Sequence, residues 1–66
     1  MKNSIRVQRA IKNITQAELA QLVNVSRQTI NTMESGKYIP STVLALKIAA
    51  IFGVSVEQVF ELEEGD

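Results

Sequence analysis

The 66-residue chain contains no cysteine and no histidine. Without cysteine there is no disulfide framework. Without either residue there are no Cys or His metal sites, and no nucleophilic chemistry built on a thiol or a Ser-His pair. The three glycines form no phosphate-cradling loop, and the carboxylates show no spacing that assembles a catalytic pair. An enzyme is therefore not expected, and nothing calls for a cofactor or a metal. Long apolar runs are missing too. The longest, Ile48 to Phe52, falls far short of the roughly 20 residues of a membrane helix, and the opening MKNSIRVQRA has no apolar signal region. The expectation is a cytoplasmic protein with no membrane partner. So short a chain supports one domain, residues 1–66, with a small core that association would help to stabilise. It leaves no room for a separate effector domain, so no small-molecule effector is expected.

What is present concentrates between Thr15 and Gly36. Thr15 followed by Glu18 has the spacing of a capping box, in which each side chain satisfies a backbone N–H left unpaired at a helix start. A helix over Gln16 to Val23 follows, with Leu19, Ala20 and Val23 at helical spacing. Asn24 tolerates the left-handed conformation that ends a helix, and Val25 is placed to tuck into the core. Ser26 can then accept from the N–H of Gln28 or Thr29, which starts a second helix over Arg27 to Glu34 that stops at Gly36.

The second helix has two apolar residues, Ile30 and Met33; the others in its first turns are Arg27, Gln28, Thr29, Asn31 and Thr32. A guanidinium fork fits guanine O6 and N7, and a carboxamide offers the donor and acceptor that fit adenine N6 and N7. A capped helix start also presents free N–H groups and a positive dipole end, which suit a phosphate. The competing interpretation is an amphipathic helix whose polar face meets only water.

The zero net charge conceals a segregation. Residues 1–47 hold all seven cations, Lys2, Arg6, Arg9, Lys12, Arg27, Lys37 and Lys47, against Glu18 and Glu34, a net of +5. The remainder holds Glu57, Glu61, Glu63, Glu64 and Asp66 and no cation, a net of −5. An asymmetry whose positive part coincides with the polar helix points toward nucleic acid.

TQAELAQLVNVSRQTI, the run Met33 to Tyr38, Pro40-Ser41 before an apolar helix, and Phe52-Gly53-Val54-Ser55-Val56-Glu57-Gln58-Val59-Phe60 together resemble the helix-turn-helix of the phage repressor and Cro family of DNA-binding proteins. The resemblance covers almost the whole chain. It implies an all-α fold, a five-helix lambda-repressor-like DNA-binding domain, with the helix-turn-helix at 16–34. The residues themselves give helices at about Ser4 to Lys12, Gln16 to Val23, Arg27 to Glu34, Thr42 to Phe52 and Val56 to Phe60, with Ser55 and Gln58 repeating the capping-box spacing. Phe60-Glu61-Leu62-Glu63 alternates as an edge strand would. Some short members of the resembled family carry such a terminal β-strand, so a strand pair at the chain ends is compatible with the pattern.

Two further features bear on assembly. In the first helix, Val7, Ala10, Ile11 and Ile14 share a face by spacing, whereas the family-like register turns Ile5 and Arg9 inward. The resemblance implies that Arg9 then pairs with Glu34, tying the first helix to the end of the second DNA-facing one. In the fourth helix, TVLALKIAAIF, Leu44, Ala45, Ile48, Ala49 and Phe52 can face the interior, which leaves Val43, Leu46, Ala50 and Ile51 over. With Val56, Val59 and Phe60 they define a homodimer interface within 43–62. The resemblance supports it, since members of that family usually bind as two-fold dimers.

These readings combine into a repressor-type regulator of transcription that binds double-stranded DNA as a homodimer at a pseudo-palindromic operator. Arg27, Gln28, Thr29, Asn31 and Thr32 are the expected base contacts, Thr29 reaching either a thymine methyl or a phosphate. Gln16, Ser35, Lys37 and Tyr38 are the expected phosphate contacts. Gln16 opens its helix, and the resembled family uses a Gln there in that way. The alternative is an antitoxin-like module that binds a protein partner and touches DNA to regulate its own expression.

Overall fold

The computed structural model describes residues 1–66. A two-residue strand β1 (Lys2–Asn3) leads into α1 (Ile5–Lys12), α2 (Gln16–Val23), α3 (Arg27–Glu34), α4 (Thr42–Phe52) and α5 (Val56–Val59), and the chain closes with β2 (Phe60–Glu61). The strands pair antiparallel, Lys2 opposite Glu61 and Asn3 opposite Phe60, which joins the two ends of the chain. The fold is thus the five-helix one, with the terminal strand pair added. Phe60 belongs to the strand rather than to the last helix, because its extended backbone is what pairs with Asn3.

Side chains start three of the helices. Thr15 and Glu18 form the full capping box, Glu18 N–H to Thr15 Oγ1 at 3.0 Å and Thr15 N–H to Glu18 Oε1 at 2.9 Å. The Ser26 hydroxyl accepts from Thr29 N–H at 3.1 Å, and the Ser41 hydroxyl from Leu44 N–H at 3.2 Å. Ahead of α5, Gln58 Oε1 accepts from Ser55 N–H at 2.8 Å.

Four helices end alike. The chain passes through a left-handed residue, Asn13, Asn24, Gly36 or Gly53. The next residue's N–H then reaches back five positions: Ile14 to Arg9, Val25 to Ala20, Lys37 to Thr32 and Val54 to Ala49. At three of these ends the next residue, Ile14, Val25 or Val54, packs onto the core. At the fourth it is the exposed Lys37.

The core gathers Ile5, Leu19, Ala20, Val23, Ile30, Met33, Leu44, Ile48, Ala49, Phe52, Val59 and Phe60. Every long element contributes. The open question of the α1 register is settled here: Ile5 is fully buried, while Val7 and Ile11 are 59% and 70% exposed and Ala10 is exposed as well. Three of the four residues on the face chosen by apolar spacing alone are thus on the outside, and only Ile14, past the end of the helix, packs onto the core. Contacts outside the helix set its rotation. Ser4 N–H donates to the Val59 carbonyl at 2.8 Å, Ser4 Oγ to the Gln58 carbonyl at 2.9 Å, and Asn3 Oδ1 accepts from Ile5 N–H at 3.2 Å. The Asn3 amide also donates to the Met33 carbonyl at 2.8 Å, fastening the chain start to the last turn of α3.

α4 divides much as its sequence suggests. Leu44, Ile48, Ala49 and Phe52 are buried and Ala45 is half-buried, while Val43, Leu46 and Ala50 are exposed. Three residues expected at a dimer interface are wholly or partly covered within the domain. Val59 and Phe60 are core residues, because the strand pairing draws the end of α5 onto the domain; Val59 is fully covered, and Phe60 keeps only the edge that borders a surface groove. Ile51 packs against the core from its edge. The acidic tail folds back rather than fraying, its Glu63 and Asp66 carboxylates lying 2.9 and 3.3 Å from the Met1 ammonium.

Candidate nucleic-acid interface

α2 and α3 bury Leu19, Ala20 and Val23 against Ile30 and Met33, which turns the other side of α3 outward. On it Arg27, Gln28 and Asn31 are exposed, and Thr29 and Thr32 are half-buried. The Gln28 carboxamide donates to Thr32 Oγ1 at 3.3 Å, and the Thr32 hydroxyl donates to the Gln28 carbonyl at 2.8 Å. One turn of spacing thus puts the two side chains on one edge. Thr29 Oγ1 lies 2.8 Å from Ser26 Oγ and belongs to the helix cap as much as to the outer face.

Arg27 forms no ion pair or hydrogen bond within the chain. It borders an open depression of about 530 Å³, shared with Arg9, Asn13, Ile14, Thr15, Gln16 and Ala17. The N–H groups of Gln16 and Ala17, the first two of α2, have no partner at this edge, since the capping box satisfies those of Thr15 and Glu18 on either side of them. Past α3, the Ser35 hydroxyl donates to the Thr32 carbonyl at 2.6 Å, and the side chains of Lys37 and Tyr38 stand exposed without hydrogen-bond or ion-pair partners.

A hydrogen-bonded network holds this surface from behind. Arg9 grips Glu34 with two N–H groups, Nε to Oε2 at 2.6 Å and Nη2 to Oε1 at 3.1 Å, and its Nη1 donates to the Ile14 carbonyl at 3.2 Å. The Glu34 side chain is 3% exposed and that of Arg9 15%. Arg6, 3.9 Å from Glu34, is almost free in solvent and adds a distant charge. Burial pushes the Glu34 carboxyl up, but hydrogen bonds from Arg9 and Gln16 and the charges of Arg9 and Arg6 outweigh it and hold the group below the usual carboxylate range. The hydrogen bond to Glu34 raises Arg9 in turn, against the opposing effect of burial. Arg9 and Glu34 are thus a largely buried, charged pair.

Gln16 extends the network to the outer face. Its Nε2 donates to Glu34 Oε1 at 3.1 Å and to Asn31 Oδ1 at 3.2 Å. Both amide hydrogens of Gln16 are thereby used inside the protein, and what it retains for a phosphate is its backbone N–H. Nothing in the spacing of Gln16, Asn31 and Glu34 announces this junction, because it depends on how α2 crosses α3.

A helix-turn-helix family model matches residues 5–59. The chain belongs to the helix-turn-helix family of transcriptional regulators. An uncharacterized HTH-type transcriptional regulator of Methanocaldococcus jannaschii is 50% identical over 66 residues, all of both chains. One from Bacillus subtilis is 45% identical over 64 residues, 97% of each chain, and one from Archaeoglobus fulgidus is 47% identical over 64 residues, 97% of this chain and 90% of that one.

A second exposed region lies on α4 and α5. Met1, Ile39, Pro40, Thr42, Ala45, Leu46, Val56, Glu57 and Phe60 line an apolar groove of about 340 Å³. Val43 beside it is 62% exposed and Ile39 64%. Ile39 and Pro40 are absent from the interface read from the sequence, since a two-residue loop segment carries no periodic signal. No helix is long and apolar enough to cross a membrane.

Proposed function

We propose that the protein is a homodimeric, sequence-specific DNA-binding regulator of transcription that acts as a repressor at a pseudo-palindromic operator. The observation that carries this reading is α3: a helix braced by a buried ion pair that presents Arg27, Gln28 and Asn31 with vacant hydrogen-bonding groups. Arg27, Gln28, Asn31 and Thr32 contact bases in the major groove, and Thr29 reaches a thymine methyl or a phosphate. The backbone N–H of Gln16, with Ser35, Lys37 and Tyr38, holds the flanking phosphates.

The size of the protomer supports two copies at such an operator. Successive half-sites on one face of B-DNA are about 34 Å apart, whereas the whole protomer is 31 Å in its longest dimension. The second copy packs on the groove beside α4, through Val43, Leu46, Ala50 and Val56 together with Ile39 and Pro40. Burying these side chains removes apolar surface from water that the small core leaves uncovered. The acidic end of the chain is kept off the phosphates, so the +5 part faces the duplex.

Selection from random duplex DNA followed by sequencing tests the proposal. The expected result is an enriched motif of two inverted half-sites about one helical turn apart. Failure to enrich any motif would rule out sequence-specific recognition, and a single unrepeated half-site would rule out the dimer.

A further inference from the structure

The network behind α3 determines which groups Asn31 can offer. An ionised carboxylate only accepts hydrogen bonds, and Glu34 is held ionised by two N–H groups of Arg9. The end of the Gln16 carboxamide that faces Glu34 is therefore its nitrogen, at 3.1 Å. That nitrogen only donates, so the part of Asn31 it meets at 3.2 Å is the oxygen. With Oδ1 engaged, the exposed Asn31 has its two Nδ2 hydrogens left for a partner, since they meet none within the chain. The order Arg9, Glu34, Gln16, Asn31 passes one hydrogen-bond polarity from the interior to the outer face of the helix.

We infer that Glu34 and Gln16 make Asn31 a donor-only reader, which selects a base with adjacent acceptors, guanine, and rejects adenine. An unrestrained asparagine pairs its oxygen and nitrogen with adenine N6 and N7. Here the oxygen is held by Gln16, and the two remaining hydrogens match guanine O6 and N7. Opposite adenine they would set donor against donor at N6, leaving a desolvated N–H unpaired. Gln16 and Glu34 are positioning residues in this account, since they act through Asn31. The inference rests on the reading of α3 as the DNA-contacting helix.

Selection from random duplex DNA with the full chain, run in parallel on wild type, Asn31→Ala, Gln16→Ala and Gln16→Met, separates the possibilities. Asn31→Ala identifies its base pair as the one position where preference disappears. At that position the wild type is expected to favour guanine over adenine on the order of tenfold. Both Gln16 variants are expected to shift the preference there to adenine while the other positions keep theirs, a change that mere loosening of the fold would not produce. A second measurement needs no Gln16 variant. Wild-type protein should bind several-fold less tightly to a duplex carrying 7-deazaguanine at that position, which lacks the N7 acceptor. Adenine at the Asn31 position in the wild-type motif, an unchanged preference in the folded Gln16 variants, or indifference to 7-deazaguanine would overturn the inference while leaving DNA recognition intact. No motif for wild type would overturn the reading of α3 itself.

Discussion

α3 and α4 flank the same core, and each leaves one side uncovered, but the uncovered sides differ in kind. α3 exposes a guanidinium and carboxamides; α4 exposes Val43, Leu46 and Ala50. Groups with vacant hydrogen bonds lose little by staying in water, so a partner that displaces that water must offer complementary acceptors and donors. Apolar groups gain from any partner that excludes water and ask little about its identity. The two helices are also held differently. Hydrogen bonds fasten α3 at its last turn, from Arg9 to Glu34 and from Asn3 to the Met33 carbonyl. Apolar packing is the main hold on α4 beyond its cap. One small core thus supports two surfaces of opposite chemistry, and only the hydrogen-bonding one is braced by directional bonds.

The contrast can be broken most severely at the brace. Arg9→Ala strands the Glu34 carboxylate in the interior and is expected to lower unfolding stability by about 3–5 kcal/mol; urea denaturation measures it, and an unchanged midpoint would mean that the pair contributes nothing. Acid should have a related effect. Glu34 is depressed below its ordinary value of 4.5, so its contribution is complete above that pH and declines as pH falls through the folded-state value. Comparing wild type with Glu34→Gln between pH 7 and pH 2 isolates it: the gap in melting temperature should narrow toward acid.

A carboxylate placed on the apolar side of α4 tests whether the two surfaces cooperate. Leu46→Glu should yield a monomer in sedimentation and weaken binding to a two-half-site duplex by about a hundredfold through lost avidity. Binding to an isolated half-site should be unaffected. On the reading surface itself, Gln28→Ala is expected to cost about 1–3 kcal/mol at particular base pairs, seen as flattened columns in the selected motif. The smallest effect should come from Lys37→Ala, which should weaken operator and random DNA alike and reduce the salt slope by about one ion. Equal losses on operator and random DNA for Gln28→Ala would erase the distinction between reader and anchor.

Local chemistry made much of this fold legible. The Thr15–Glu18 box, the Ser26 cap and the left-handed Asn24 each depend on residues within a few positions, so the bounds of α2 and the start of α3 follow from the chain. α1 was not legible by the same means. Its apolar stripe, Val7, Ala10 and Ile11, points outward because Ser4 and Asn3 anchor the chain start to Val59, Gln58 and Met33, residues far along the sequence. The site divides similarly. The residues of α3 announce their chemistry, but the orientation of the Asn31 amide does not appear in any spacing. Val59 and Phe60 read as free apolar residues until the strand pairing draws them into the core.

By itself, then, the sequence determined where the helices run, which of them carries hydrogen-bonding side chains, and that charge of opposite sign is divided along the chain, all consequences of short-range capping, periodicity and composition. Tertiary structure alone decided the rotation of α1, the burial of Val59 and of most of Phe60, the groove shared by Ile39 and Leu46, and the polarity that Asn31 presents. Each of these depends on a contact between residues distant in sequence, where a hydrogen bond or a buried side chain is fixed by how helices cross rather than by what precedes and follows it.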